Sequence, residues 1–200
     1  MAERRSIAFF ETQFQRQVRE GDFALNPFEK LALDHVRGEV LEFGCGLGNL
    51  ALEAARRGCT VTAVDAAPSG IEHVRARAAA EELPVRAFVA DFDAWQVDRN
   101  YDTIVAIGLL MFFPRKKALA MLEEIKARVV PGGVAVVNVL TEGTTFLGMF
   151  DAGHYCLFGA DELRRAFAGW EVLVDRADAF PAPGDTLKVF STVIARKSRA

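Results

Sequence analysis

The chain has little of what marks secreted, membrane-spanning or nucleic-acid-wrapping proteins. Its 200 residues include three cysteines, Cys45, Cys59 and Cys156, an odd and widely spaced set. Such a set suggests neither a disulfide framework nor a zinc site, and three reduced thiols fit a cytoplasmic protein. No apolar run reaches the roughly 18 residues of a membrane-spanning helix, so no membrane partner is expected. Met1 to Asp22 carry Glu3, Arg4, Arg5, Glu11, Arg16, Arg19 and Glu20, and lack the apolar core of a signal peptide. Positive charge is not in excess: 24 Lys and Arg stand against 27 Asp and Glu, a net charge of -3. That balance disfavours nucleic acid as a partner. Internal repeats and low-complexity segments are also absent.

What is present is an ordinary globular composition, 51% hydrophobic and 26% charged. The length fits one domain over residues 1–200, with residues 1–38 as an N-terminal helical segment and 39–200 as the main fold. Ser6 to Glu20 reads as a charged helix. Asn26 and Pro27, a cap and a first-turn residue, open a second helix to about Val36. From there strands and helices alternate. Val40–Phe43, Thr60–Val64, Val85–Val89, Tyr101–Ile107 and Val134–Leu140 read as strands, the last opening after the break Pro131-Gly132-Gly133. Helices follow at Asn49–Arg57, at Pro68–Glu82 and from Pro114, the last with Ala118, Met121, Leu122 and Ile125 at helical spacing. The strands are near-continuous apolar runs, as in a parallel sheet covered on both faces. The end differs: a loop over Thr141–Phe158, a short helix over Asp161–Ala168, and strands Glu171–Ala177 and Leu187–Ala195. This order predicts a doubly wound, Rossmann-like α/β fold, a mostly parallel seven-stranded sheet with a C-terminal antiparallel hairpin near one edge.

The run Glu42-Phe43-Gly44-Cys45-Gly46-Leu47-Gly48 joins the first strand to its helix. Glycines there allow a tight turn and close backbone approach to a ligand, and the helix offers a positive N-terminus to a pyrophosphate or a carboxylate. The dinucleotide fingerprint is G-x-G-x-x-G; here the third glycine falls one position early and Asn49 takes its place. Glu42 precedes the first glycine by two, where a carboxylate favours a cationic ligand. Asp65 ends the second strand and can accept both ribose hydroxyls, cap the next helix, or do both. Asp91-Phe92 follow the third strand, with Phe92 either over a base or in the core.

Acid-x-Gly-x-Gly-x-Gly resembles motif I of the class I S-adenosylmethionine-dependent methyltransferases, and Val130-Pro131-Gly132-Gly133 resembles the turn before their fifth strand. The likeness runs from about Val40 to Leu140. It implies S-adenosylmethionine as cofactor and S-adenosylhomocysteine as product. Glu42, Gly44, Cys45, Gly46 and Gly48 would form the cofactor loop, and Asp65 with Ala66 would meet the ribose. Asp91 would take the adenine amino group beside Phe92, and Gly108 would lie along the methionine part. Met111-Phe112-Phe113 with Arg115, Phe158 to Leu163 with Trp170-Glu171, and Val193 to Lys197 are similar to the tellurite-resistance methyltransferase family. That likeness implies a small cytoplasmic enzyme, with an oxyanion such as tellurite or selenite, or another small nucleophile, as methyl acceptor.

Methyl transfer from a sulfonium mainly needs positioning, so catalytic residues are sparse. The fourth strand ends in Gly108-Leu109-Leu110, without the Asn/Asp-Pro-Pro-aromatic pattern of amide and base methylation. No acidic metal ligands follow it, so no metal is expected. Thr141, Glu142, Thr144, Thr145, His154 and Tyr155 fall in the expected substrate loop; His154 is the candidate base, or else a surface histidine. Arg115 either attracts an anionic acceptor or is a solvated first-turn residue. Phe9, Phe10, Phe14, Phe23 and Phe28 form an N-terminal lid over the pocket, or pack on the sheet or a second subunit. Monomer and homodimer both remain open. Two rivals share part of the pattern: an NAD-dependent reductase and a non-catalytic cofactor-binding subunit.

Overall fold

A computed structural model describes residues 5–199. Residues 1–4 and 200 of the expected single domain lie outside the described residues. Helices α1 (Arg5–Glu20) and α2 (Pro27–Leu33) precede β1 (Glu39–Phe43), α3 (Asn49–Arg56), β2 (Thr60–Asp65), α4 (Pro68–Ala80), β3 (Val85–Val89) and β4 (Tyr101–Ile107). A short 3-10 turn, Leu110–Phe112, leads to α5 (Arg115–Arg128) and β5 (Val129–Leu140), followed by α6 (Glu162–Ala166), β6 (Glu171–Ala182) and β7 (Thr186–Arg196). The seven strands lie in the order β3-β2-β1-β4-β5-β7-β6. β1 pairs parallel to both β2 and β4, and β7 runs antiparallel to both β5 and β6. The strand order reverses between β1 and β4, which opens a crevice at their carboxyl ends.

Local chemistry explains the elements. Asn26 Oδ1 accepts from the N–H groups of Phe28 and Glu29, and Glu29 returns a carboxylate to the Asn26 N–H, a reciprocal cap on α2. Ala118, Met121, Leu122 and Ile125 of α5 are all buried, as their spacing requires. The apolar strands separate two cores. Phe43, Ile104 and Val137 join α5 on one face; Val61, Val105 and Val136 join α3 and α4 on the other.

Three boundaries differ from the sequence expectation. α2 stops at Leu33, short of Val36. β5 begins at Val129, because Pro131-Gly132-Gly133 is absorbed as a register shift opposite Tyr101 and Thr103. Gly132 reaches φ +77°, its N–H donates to Lys197 O, and Gly133 O accepts from the Lys197 N–H, so pairing resumes at once. The hairpin is also longer than its apolar stretches. Pro181 and Ala182 pair with Leu187 and Thr186, because β6 is an edge strand whose outer side needs no donor. No helix among the described residues is long and apolar enough to cross a membrane.

Candidate functional site

The Gly-rich loop turns back on β2. Gly44 N–H and Cys45 N–H both donate to Val64 O, at 2.8 and 2.9 Å. Gly46 N–H donates to Asp65 Oδ2 and Ala67 N–H to Asp65 Oδ1, each at 2.8 Å. Asp65 thus fixes the loop and caps the start of α4 before any ligand arrives. Gly48 shows why the third glycine is needed. Its φ is +65°, and a Cβ there would sit 2.4 Å from Val74 Cγ2. Gly48 therefore lets α3 and α4 approach, and it does not line the cavity.

That cavity, about 610 Å³, lies over the crevice. Glu42, Gly44, Cys45, Gly46, Asp65, Ala66, Asp91, Phe92 and Gly108 all line it. Glu42 is 6% exposed, and its Oε2 has no hydrogen-bond partner. Burial drives its carboxyl well above the usual carboxylate range, and the nearby Glu29 and Asp65 charges push the same way. Burial also raises Asp65, against the lowering effect of the N–H groups of Ala67, Gly46 and Ala66. The Ala51 N–H offsets part of the burial cost at Glu42, and the remaining bare oxygen costs roughly 1–3 kcal/mol, which a cationic ligand would recover. Burial raises the Cys45 thiol as well, so that side chain is packing, not a nucleophile.

Just after β3, Asp91 is exposed and its Oδ1 accepts the Asp93 N–H at 3.0 Å. The Phe92 ring is buried edge-on to Phe43 at 5.0 Å and belongs to the core, and the residue also lines the cavity. Gly108 has φ +67° and its N–H donates to Asn138 O at 3.0 Å. α1 lies across the opening. Phe14 sits on Gly46, where a Cβ would approach its ring to 3.0 Å, and Phe10 meets Phe112 edge-on at 5.2 Å. Asp151 accepts from Arg5 N–H at 2.9 Å and from the Ser6 N–H and hydroxyl at 3.3 Å, and Glu11 accepts the Ser69 N–H at 3.3 Å. The helix is thereby tied down at its start and along its length.

The loop after β5 behaves differently from expectation. From residues 141–158, Met149 lines the cavity; Thr141, Glu142, Thr144, Thr145, His154 and Tyr155 do not. The threonine hydroxyls are used to hold the loop on β7: Thr141 and Thr144 donate to Val189 O, and Thr145 accepts the Leu187 N–H. His154 N–H closes a turn onto Asp151 O at 3.0 Å, and its side chain lies away from the cavity lining. Arg115 is paired with Glu162, joining α5 to α6, and is likewise off the cavity. The sequence reading missed Asn138, Lys188, Phe190 and Glu29, which all line it. Asn138 had a readable signal, a lone polar residue inside the apolar run of β5. Lys188 and Phe190 had none, because only strand pairing carries β7 to β5.

Known proteins are similar to this chain in sequence and fold. A family described as "Methyltransferase domain" matches residues 40–133. Hemagglutinin 1 of Eikenella corrodens is 31% identical over 171 residues, 80% of this chain and 54% of that protein. TehB of Haemophilus influenzae, named a probable S-adenosyl-L-methionine-dependent methyltransferase, is 26% identical over 167 residues, 80% of this chain and 57% of its own. The chain thus spans about half the length of these relatives. The crystal structure of Haemophilus influenzae TehB superposes with a TM-score of 0.78 at 22% identity, covering 91% of this chain and 65% of that one. The N-methyltransferase NodS of Bradyrhizobium japonicum, solved with S-adenosyl-L-homocysteine, has the same fold, with a TM-score of 0.67 at 17% identity over 94% of this chain and 98% of its own. Residues 40–133 thus match the methyltransferase-domain family, and the chain shares the fold of these solved structures.

Proposed function

We propose that the protein transfers a methyl group from S-adenosylmethionine to a small-molecule acceptor. One observation carries this reading: the buried Glu42 carboxyl group on the cavity wall beside the Gly-rich loop, held by the Ala51 N–H and with its Oε2 lacking a partner. That position suits the cationic methionine end of the donor and gives a dinucleotide nothing. The same loop argues against the reductase rival. The N–H groups of Gly44, Cys45 and Gly46 are all committed inside the protein, so a pyrophosphate would find none of them free.

In this reading Glu42 attracts the donor's positive charge, Asp65 receives the ribose hydroxyls, and Asp91 with the Phe92 backbone receives adenine. Gly44, Cys45, Gly46, Ala66 and Gly108 supply close backbone walls. Gly48 acts one step removed, by allowing the α3–α4 contact. When bound, the donor supplies a methyl group on a sulfonium, which leaves as a neutral thioether. The chain's own part is to align the two reactants and exclude water, and α1 serves as the lid that does so. His154 has no geometric claim to a base role. Likeness to TehB adds a finer reading, an oxyanion acceptor such as tellurite or selenite, and Lys188 is the cation that would meet it. Among the described residues, Lys188 is the one cation on a lining with four carboxylates, Glu29, Glu42, Asp65 and Asp91, and burial lowers its amine.

Titration calorimetry tests the reading. S-adenosylhomocysteine should bind at micromolar levels or tighter, about 8 kcal/mol. Binding of NAD with no response to S-adenosylmethionine or its product would overturn it. Product release during incubation with acceptors separates an enzyme from a cofactor-binding subunit.

A further inference from the structure

Asn138 has no task in the reading so far. It lies in the β5 run Val136-Val137-Asn138-Val139-Leu140, whose other members are apolar and buried. It is itself fully buried, and it lines the cavity. Its amide nitrogen donates to Thr192 Oγ1 of β7 at 2.8 Å, while Oδ1 has no hydrogen-bond partner. A buried amide oxygen without a donor is disfavoured, and a visiting ligand is one way to satisfy it.

Its place in the sheet says which ligand. Asn138 pairs with Ile107 across from Gly108, on the side of β4 away from β1, β2 and β3. Glu42, Asp65 and Asp91 occupy those three strands and their tips, so Asn138 belongs to the acceptor's end. Leu140, Met149, Phe112 and Phe190 line the cavity with it. An acceptor oxygen framed by apolar side chains matches a molecule with an O–H or N–H on an apolar body. A fully deprotonated oxyanion, the acceptor that likeness to TehB suggests and Lys188 would meet, sets oxygen against oxygen at Asn138, so the two residues favour different acceptors and the tellurite arm of the test decides between them.

We infer that Asn138 selects the methyl acceptor, and that the acceptor is an organic molecule presenting a hydroxyl or amine to Asn138 Oδ1. This rests on the methyl-donor reading above. Asn138 holds the donor hydrogen without removing it, because an amide oxygen is a very weak base. As the acceptor's oxygen or nitrogen bonds to the methyl carbon, the carbon–sulfur bond breaks with its electron pair kept on sulfur. The acceptor's proton passes to bulk water.

The test is methyl transfer by the full chain to catechol, tyramine or tellurite, read as S-adenosylhomocysteine release. Turnover is expected with catechol or tyramine. On the better of these, Asn138→Leu should lower kcat/KM by about 100-fold or more, the scale expected when a site built for a hydroxyl or amine loses its partner. Affinity for S-adenosylhomocysteine should stay within about twofold, and Asn138→Asp, which keeps an acceptor oxygen and can take the Thr192 hydroxyl, should restore about tenfold. Transfer to tellurite alone, transfer to none of the probes, unchanged kcat/KM in Asn138→Leu, or loss of product affinity in a folded Asn138→Leu each overturn the inference. Should Asn138→Leu fail to fold by circular dichroism, Thr192→Val, which releases the amide, takes its place. A loss of about tenfold is then expected, and an unchanged rate overturns the inference. Failure of the unmodified chain to bind S-adenosylhomocysteine would instead sink the donor reading itself.

Discussion

The two ends of the cavity are built from different material. In the reading proposed above, the donor end uses turns and carboxylates from a compact stretch, Glu42 to Phe92, whose residues lie at or just after the ends of β1, β2 and β3. The acceptor end collects side chains from α1, the start of α2, the end of β5, Met149 and β7, spanning Ser6 to Phe190. At the donor end the backbone does the shaping, so few residues fit each position. At the acceptor end apolar side chains do it, and many combinations would fill the same space. The first arrangement suits a constant ligand and the second a variable one.

The comparison can be broken first at its donor end. Gly48→Val would force a side chain into Val74 at positive φ, and a loss of about 3 kcal/mol or more is expected from strain and overpacking. Thermal melting and calorimetry with S-adenosylhomocysteine check it; a normal melt with normal binding would mean the α3–α4 approach is dispensable. Asp65→Ala removes the hydrogen bonds from Gly46 and Ala67 N–H as well as the proposed ribose acceptor, so cofactor affinity should fall by about 1–3 kcal/mol. Stability lost with affinity unchanged would leave Asp65 with the capping role alone.

Glu42 links charge to pH. Its carboxyl is raised in the folded protein relative to the ordinary value of 4.5, so the folded state holds more protons than the unfolded chain above that value. Its contribution to stability is therefore fully present below about 4.5 and declines as pH rises through the folded value. If Glu42 meets the donor's positive charge as proposed, S-adenosylmethionine should bind more tightly over the same rise and release a proton. Glu42→Gln should flatten the pH profile of binding, as measured by calorimetry in buffers of different ionisation enthalpy; a profile left unchanged would move the titration to another group.

Smaller effects are expected at the acceptor end. Asp151→Ala unties the start of α1 and should cost about 1 kcal/mol, the worth of a helix-start cap. The same change should speed S-adenosylhomocysteine release in stopped-flow measurements, and an unaltered rate would deny α1 its lid role. His154→Ala should leave kcat unchanged, and a large drop would return the loop after β5 to the chemistry.

Much of the fold was legible because each element announces itself locally. Asn26-Pro27 capped α2, the glycines marked the β1–α3 turn, and apolar runs marked buried parallel strands. The length of β6 was not legible, because Pro181 reads as a break unless the strand is known to lie at an edge. At the site, the residues expected in the cofactor loop came to the cavity with the exception of Gly48, since they sit at strand ends whose position follows from the fold order. His154 and Arg115 did not. Arg115 found Glu162, and the threonines around His154 were drawn to β7, partners that no local pattern names.

The sequence alone determined the fold class, the Gly-rich turn after β1 and the acids at the strand ends, because glycine conformation, strand burial and helix capping are short-range matters. Only the tertiary structure decided that α1 covers the cavity, that β7 brings Lys188 and Phe190 beside β5, and that Asn138 is buried with its oxygen unpaired. Those facts depend on which distant surfaces exclude water together, and a hydrogen bond is lacking or made only once the whole neighbourhood is assembled.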